Sequence, residues 1–280
     1  MALAQVDFFS KSLMRTVTAN VVVPADKFSF GPTGVPSSSA SDKPFKTLYL
    51  LHGIFGNYTD WVTKTRLQQL AEDRDLVVVM PSGDNGFYND HADGSRYGEF
   101  IGTELVEFTR RMFNLSHKRA DTFIGGLSMG GYGAIVNALR NPETFGSVVG
   151  LSSGLILGPQ VEASVDDAPT IMGSRPYYES VFGPIEQIRG SENDYDALAE
   201  RVAASKGPKP RFYLACGTED ALLPSNQAYA ALLQKLGFEV EYHEGPGNHT
   251  WAFWDEWIEK SFSWLPLDTA HAAVSSGNVQ

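Results

Sequence analysis

The sequence predicts a doubly wound α/β fold, a mostly parallel sheet with helices on both faces. Three observations carry that expectation. Short apolar runs recur along the chain, most of them end in a turn rich in glycine or proline, and segments with helical spacing of apolar residues lie between them. Runs with few polar positions suit strands buried on both faces, and right-handed crossovers then distribute the helices above and below the sheet. A chain of 280 residues, 42% hydrophobic, can bury a sizeable core and is excluded from the disordered class.

Taken in order, β-branched runs at 13–18 and 20–23 read as strands, and the Pro/Gly/Ser-rich stretch 31–41 reads as a long hairpin loop. Buried strands are expected at 47–51, 76–80, 122–125, 147–151 and 212–216, with a further strand at 239–243. Helices are expected at 65–73, 98–112, 131–139, 225–236 and 252–263. The last of these carries Trp254, Trp257, Ile258 and Phe262 on one face. Residues 155–210 break the alternation and are read as an insertion, a lid or cap over the carboxyl edge of the sheet, where α/β pockets form. Residues 1–267 thus make one domain, and the small, polar segment 268–280 reads as a flexible tail.

Charge and cysteine content narrow the function classes. With 22 Lys and Arg against 33 Asp and Glu, the net charge of −11 disfavours a nucleic-acid surface. The single cysteine, Cys216, cannot form an internal disulfide and reads as a packed core residue, and no Cys/His spacing suits zinc. Residues 1–10 lack signal-peptide character, and no apolar stretch approaches the ~20 residues of a membrane helix. The expectation is a soluble cytoplasmic protein with no membrane span, no metal and no cofactor, as a monomer or a homo-oligomer.

The strongest chemical signal is Gly126-Leu127-Ser128-Met129-Gly130, a G-x-S-x-G between an expected strand and an expected helix. That setting is the one a nucleophile elbow needs, because the sharp turn leaves no room for a Cβ on either flank of the serine. A serine hydroxyl requires a base, and a base requires an acid to orient it. Where a serine sits on such a turn, acid and base follow it on loops after later strands. Asp220 lies in the loop after 212–216, and His249 in the loop after 239–243. Glu219 is the rival acid, Asp255 reads as a solvated helix residue, His243 as a strand residue and His52 as a buried loop anchor. The backbone N–H groups of Ile54 and Met129 are the expected oxyanion donors. Phe55, His91 and Trp251 are the candidate lining residues of the substrate pocket.

These residues also carry a resemblance. Leu51-His52-Gly53-Ile54-Phe55-Gly56-Asn57 with Trp61, Met80-Pro81-Ser82-Gly83 with Phe87-Tyr88-Asn89-Asp90, 125–133 (GGLSMGGYG), Cys216-Gly217-Thr218-Glu219-Asp220 and Gly247-Asn248-His249-Thr250-Trp251 occur in order over 48–265. The chain resembles the esterase D branch of the α/β-hydrolases, most of all the bacterial tributyrin-esterase-like carboxylesterases. The resemblance implies the α/β-hydrolase fold, Ser128, Asp220 and His249 as a triad, and Ile54 and Met129 as oxyanion donors. The chain departs from that pattern in its long 31–41 loop, in His91, and in the insertion after Leu155. It resembles the sister S-formylglutathione hydrolases less, because His52-Gly53-Ile54-Phe55 replaces their oxyanion-loop sequence. The expected activity is hydrolysis of small, short-chain acyl esters through an acyl-enzyme. The alternatives are an acyltransferase or S-formylglutathione-hydrolase-like thioesterase on the same triad, and a catalytically silent binding protein, against which the intact triad argues. Short-chain acyl esters, acetylated sugars, glycerides and cinnamoyl esters all stay open as the natural ester.

Overall fold

A computed structural model of the chain describes residues 1–25, 28–30, 36–38 and 43–267. In chain order the strands are β1 (Ala2–Ser10), β2 (Arg15–Val23), β3 (Phe28–Phe30), β4 (Pro36–Ser38), β5 (Lys46–Leu51), β6 (Leu76–Pro81), β7 (Thr122–Leu127), β8 (Ser147–Leu151), β9 (Arg211–Gly217) and β10 (Val240–Gly245). Eight of them form one sheet in the order β1-β2-β6-β5-β7-β8-β9-β10, while β3 and β4 pair separately. The β1–β2 and β2–β6 pairs are antiparallel, and every pair from β6 to β10 is parallel.

The central strands are buried on both faces, and period-two alternation divides their side chains between two cores. Tyr49, Leu51, Val77, Val79, Ile124, Val148, Phe212 and Leu214 face one core. Leu48, Leu50, Leu76, Val78, Phe123, Val149, Tyr213 and Ala215 face the other. The helices covering these faces are α1 (Asp60–Lys64), α2 (Leu67–Asp73), α3 (Tyr97–Glu99), α4 (Leu105–Met112), α5 (Met129–Arg140), α6 (Pro159–Glu162), α7 (Arg175–Phe182), α8 (Ile185–Ile188), α9 (Tyr195–Ala204), α10 (Leu223–Lys235) and α11 (Trp251–Trp264). Helix α5 is buried along its whole length to Leu139, and α11 buries Phe253, Trp254, Trp257, Ile258 and Phe262. Among the described residues no helix is long and apolar enough to cross a membrane.

Several expectations need correction. The run expected at 13–18 begins inside a turn, where Met14 has φ +50°, and joins the run at 20–23 as one strand, β2. Its partner β1 is an edge strand in which only Val6 and Ser10 are buried, with Leu3 and Phe9 exposed. The helix expected at 65–73 is α2 alone, which starts at Leu67 because Thr65 adopts an extended backbone that separates it from α1. A π-helical turn over Phe100–Glu104 interrupts the helix expected at 98–112. The 31–41 loop lies outside the described residues except for its 36–38 strand, and the 268–280 tail lies wholly outside them.

The segment between β8 and β9 carries α6 to α9. Arg140 on α5 holds it, donating to Glu192 O (2.9 Å from Nε) and Asn193 Oδ1 (2.8 Å), and Tyr132 donates to Asn193 O at 2.7 Å. Glu104, in the π-helical turn, clamps the β1–β2 turn. Its carboxylate accepts from the Ser10 hydroxyl (2.6 Å) and from the Lys11 and Ser12 amides (2.7 and 3.1 Å). Burial would raise this carboxyl, but those hydrogen bonds outweigh it and hold it below the ordinary glutamate range. A depressed carboxyl stabilises the fold above its unfolded-state value, and that stability is lost as pH falls through the folded value. Glu104→Ala is therefore expected to lose about 1–2 kcal/mol in urea unfolding at pH 7. The gap from the parent chain should close as the pH drops below the glutamate range; a gap that persists in acid would contradict the clamp.

Candidate active site

The site is built outward from Ser128. Strand β7 ends at Leu127 and α5 begins at Met129, so the serine alone makes the turn, with φ 53° and ψ −120°. The flanking glycines are a steric requirement. A Cβ on Gly126 would lie 2.4 Å from Gly130 O, and one on Gly130 would lie 2.5 Å from Leu51 O. The elbow is tied down from outside as well, with the Ser128 amide donating to Leu151 O (2.9 Å) and Gly154 N donating to Ser128 O (2.7 Å).

The acid and base loops leave the ends of β9 and β10 in close contact, since a Cβ on Gly217 would lie 2.2 Å from Gly247 O. His249 Nδ1 lies 2.8 Å from Asp220 Oδ2. The Asp220 side chain is 1% exposed, whereas the imidazole is 35% exposed and opens onto the cavity. Burial would raise the Asp220 carboxyl, but hydrogen bonds from His249, the Leu222 amide and the Ser152 hydroxyl hold it below the ordinary aspartate range. The imidazole also stands edge-on to Trp254, with ring centroids 4.9 Å apart. The Ser128 hydroxyl and His249 share the cavity wall without a direct hydrogen bond, as is common before a substrate is held.

The rival residues lie elsewhere. Glu219 accepts from the Gly247 amide and the Thr218 hydroxyl, so it braces the histidine loop. Asp255 is ion-paired with Arg66 at 2.8 Å and is not simply solvated. His243 pairs with Glu241 on the edge strand. Cys216 is fully buried, and burial pushes its thiol up to about 12, as expected for a packing residue.

His52 explains how the loop after β5 is held. Its Nε2 accepts from the Gly83 amide (2.9 Å), so the proton sits on Nδ1 and is donated to Gly53 O (2.6 Å). Burial keeps the ring below the ordinary histidine range, and therefore neutral, against the opposing pull of that carbonyl. Gly56 N also donates to Gly53 O, at 3.1 Å. In a trans peptide the N–H opposes the preceding C=O, so fixing Gly53 O fixes the direction of the Ile54 N–H. Among the described residues, neither the Ile54 nor the Met129 amide donates to a protein acceptor.

These groups meet at a cavity of about 340 Å³ lined by Ile54, Phe55, Leu127, Ser128, His249 and Trp251, with Asp60, Lys64 and Trp254 completing the wall. Trp251 is braced edge-on by Trp61 and Trp254 at 5.4 and 5.2 Å. His91, expected to line the pocket, does not: its Nε2 bonds Gly86 O at 2.8 Å and its ring packs near Tyr97. Among the described residues, none from 155–210 lines the cavity. Sequence reasoning missed Ser152, a buried residue with φ +45° whose hydroxyl faces both Asp220 and Trp254 Nε1. Its only signal is its place at the end of an expected strand. Among the described residues no group of three His, Cys, Asp or Glu side chains is placed to hold a metal ion.

The geometry agrees with what the chain is similar to. The profile of the Esterase family matches residues 33–265. An acetyl esterase of Caldicellulosiruptor saccharolyticus is 39% identical over 266 residues, covering 95% of this chain and 98% of that protein. Among solved structures, the substrate-bound fluorophosphonate-binding serine hydrolase F of Staphylococcus aureus superposes with a TM-score of 0.80 at 30% identity, over 94% of this chain and 98% of that one. The S-formylglutathione hydrolase of the same organism gives 0.79 at 28% identity, over 94% and 98%. The chain therefore belongs to the Esterase family: it is an esterase-D-like α/β-hydrolase and a serine-dependent hydrolase of carboxylic esters.

Proposed function

We propose that Ser128 is the nucleophile, His249 the general base and acid, and Asp220 the group that fixes the imidazole tautomer and stabilises imidazolium. One observation carries this reading: the strained Ser128 turn, His249 with Asp220 behind it, and the loop bearing the Ile54 amide meet at one cavity, with the Met129 amide next to the serine in the chain. Ser128 Oγ attacks the ester carbonyl as His249 Nε2 takes its proton, and the Ile54 and Met129 amides receive the oxyanion. Collapse expels the alcohol, which takes the proton back from His249, and water repeats the cycle on the acyl-enzyme.

The substrate in this reading is a small ester with a short acyl chain. A 340 Å³ cavity walled mainly by Ile54, Leu127 and tryptophan rings suits a compact, uncharged acyl group. The net charge of −11 favours a neutral substrate and argues against nucleic acid as a partner. The sole cysteine, free and buried, fits a reducing, cytoplasmic setting. The likeness to an S-formylglutathione hydrolase supports a second reading, a thioester substrate on the same triad.

Ser128→Ala is expected to lower kcat for p-nitrophenyl acetate by at least about 10⁴-fold while leaving the circular dichroism spectrum unchanged. Retained turnover in that variant would rule out Ser128 as the nucleophile. Asp220→Asn is expected to cost about 10³- to 10⁴-fold in kcat, and Glu219→Gln less than about tenfold. The reverse ranking would transfer the acid role to Glu219. Comparing kcat/KM for acetyl, butyryl and octanoyl esters and for S-formylglutathione separates the ester and thioester readings.

A further inference from the structure

Residues 155–210 give the cavity no wall, yet α7 reaches the loop that supports the oxyanion loop through Tyr177. Tyr177 on α7 donates its hydroxyl to the backbone carbonyl of Asn85 at 2.6 Å. Asn85 Oδ1 in turn accepts from the Phe55 amide at 2.8 Å. Phe55 needs that support. Its φ is +68°, a left-handed backbone unusual for an aromatic residue, and its side chain is 69% exposed at the cavity mouth, so packing does little to hold it. The loop carrying Asn85 is itself fixed, because Asp84 accepts from Arg15 (2.7 Å) and from the Tyr97 hydroxyl.

We propose that Asn85 is a positioning residue that couples the inserted helix α7 to the oxyanion loop, so that the insertion governs the alignment of the Ile54 amide. The inference rests on the reading of that amide as an oxyanion donor. Ile54 stands between two peptide groups, the first held from within the loop and the second from outside it. His52 and Gly56 hold the carbonyl of the first, and Asn85 holds the N–H of the second. Removing the Asn85 acceptor leaves the Phe55 amide unpaired and frees the strained residue to relax, which turns the second peptide and with it Ile54. The triad, the acid loop and the cavity walls made by α11 make no use of Asn85.

The test compares kcat, KM and melting temperature for the parent chain, Asn85→Ala, Tyr177→Phe and the double variant on p-nitrophenyl acetate, with Ser128→Ala alongside. A contact felt only by the developing oxyanion lowers kcat and leaves KM in place, so Asn85→Ala is expected to lose about tenfold in kcat with KM within about twofold. Tyr177→Phe is expected to lose about threefold, and the double variant no more than Asn85→Ala alone, because both act through one relay. A general loosening of structure would instead lower the melting temperature and raise KM, which overturns the proposal. So does a parent-like kcat in folded Asn85→Ala, or strictly multiplicative losses in the double variant. If Asn85→Ala does not fold, Tyr177→Phe decides: reduced kcat at unchanged KM supports the relay, and parent kcat overturns it. Full activity in Ser128→Ala would instead remove the underlying reading, whatever the Asn85 variants do.

Discussion

At Ser128 the chain leaves a strand and enters a helix within one residue, and the backbone must adopt φ 53° and ψ −120° to do so. A conformation of this kind costs on the order of 1–3 kcal/mol and persists only where the surroundings impose it. Here they do. Helix α5 is buried from Met129 to Leu139, so the turn cannot relax without pulling that helix off the sheet. Gly126 and Gly130 let strand and helix approach within a distance no Cβ would allow. The rest of the site is arranged around this fixed point.

Around it, buried polar groups do the orienting and exposed groups are left to do the chemistry. Asp220 and His52 are buried, hydrogen-bonded and held in one protonation state each, aspartate and neutral imidazole. Each orients a more exposed partner, His249 in one case and the Gly53–Ile54 peptide in the other. Glu219, which could have competed as the acid, is spent on holding the Gly247 amide and so fixes the spacing between the acid and base loops. Ser152 ties the same acid to Trp254, linking the catalytic loops to α11.

The parts legible in the sequence were those governed by local chemistry. Buried parallel strands have a continuous apolar pattern, and β5 to β9 were found within a residue or two at most ends. The elbow was legible because close backbone approach demands glycine at two particular positions. Strand β1 was not, since its inward face includes Ala4 and Ser10 while Leu3 and Phe9 point outward, so the residue types hide the alternation. His91 misled because a histidine near a pocket motif says nothing about where its ring points, and here the Gly86 carbonyl takes it. Asn85 carries no local signature, and Ser152 only its place at a strand end. Their importance comes from partners 30 and 102 positions away, contacts that only the fold creates.

The central claim is that one strained residue, Ser128, presents the reactive hydroxyl to the cavity. Treating the native protein with a fluorophosphonate probe and locating the adduct by peptide mass mapping tests it most directly. The account predicts a single phosphonyl group on Ser128, formed rapidly in the folded chain and not formed after denaturation. No adduct, or an adduct on another residue such as Ser152, would contradict it.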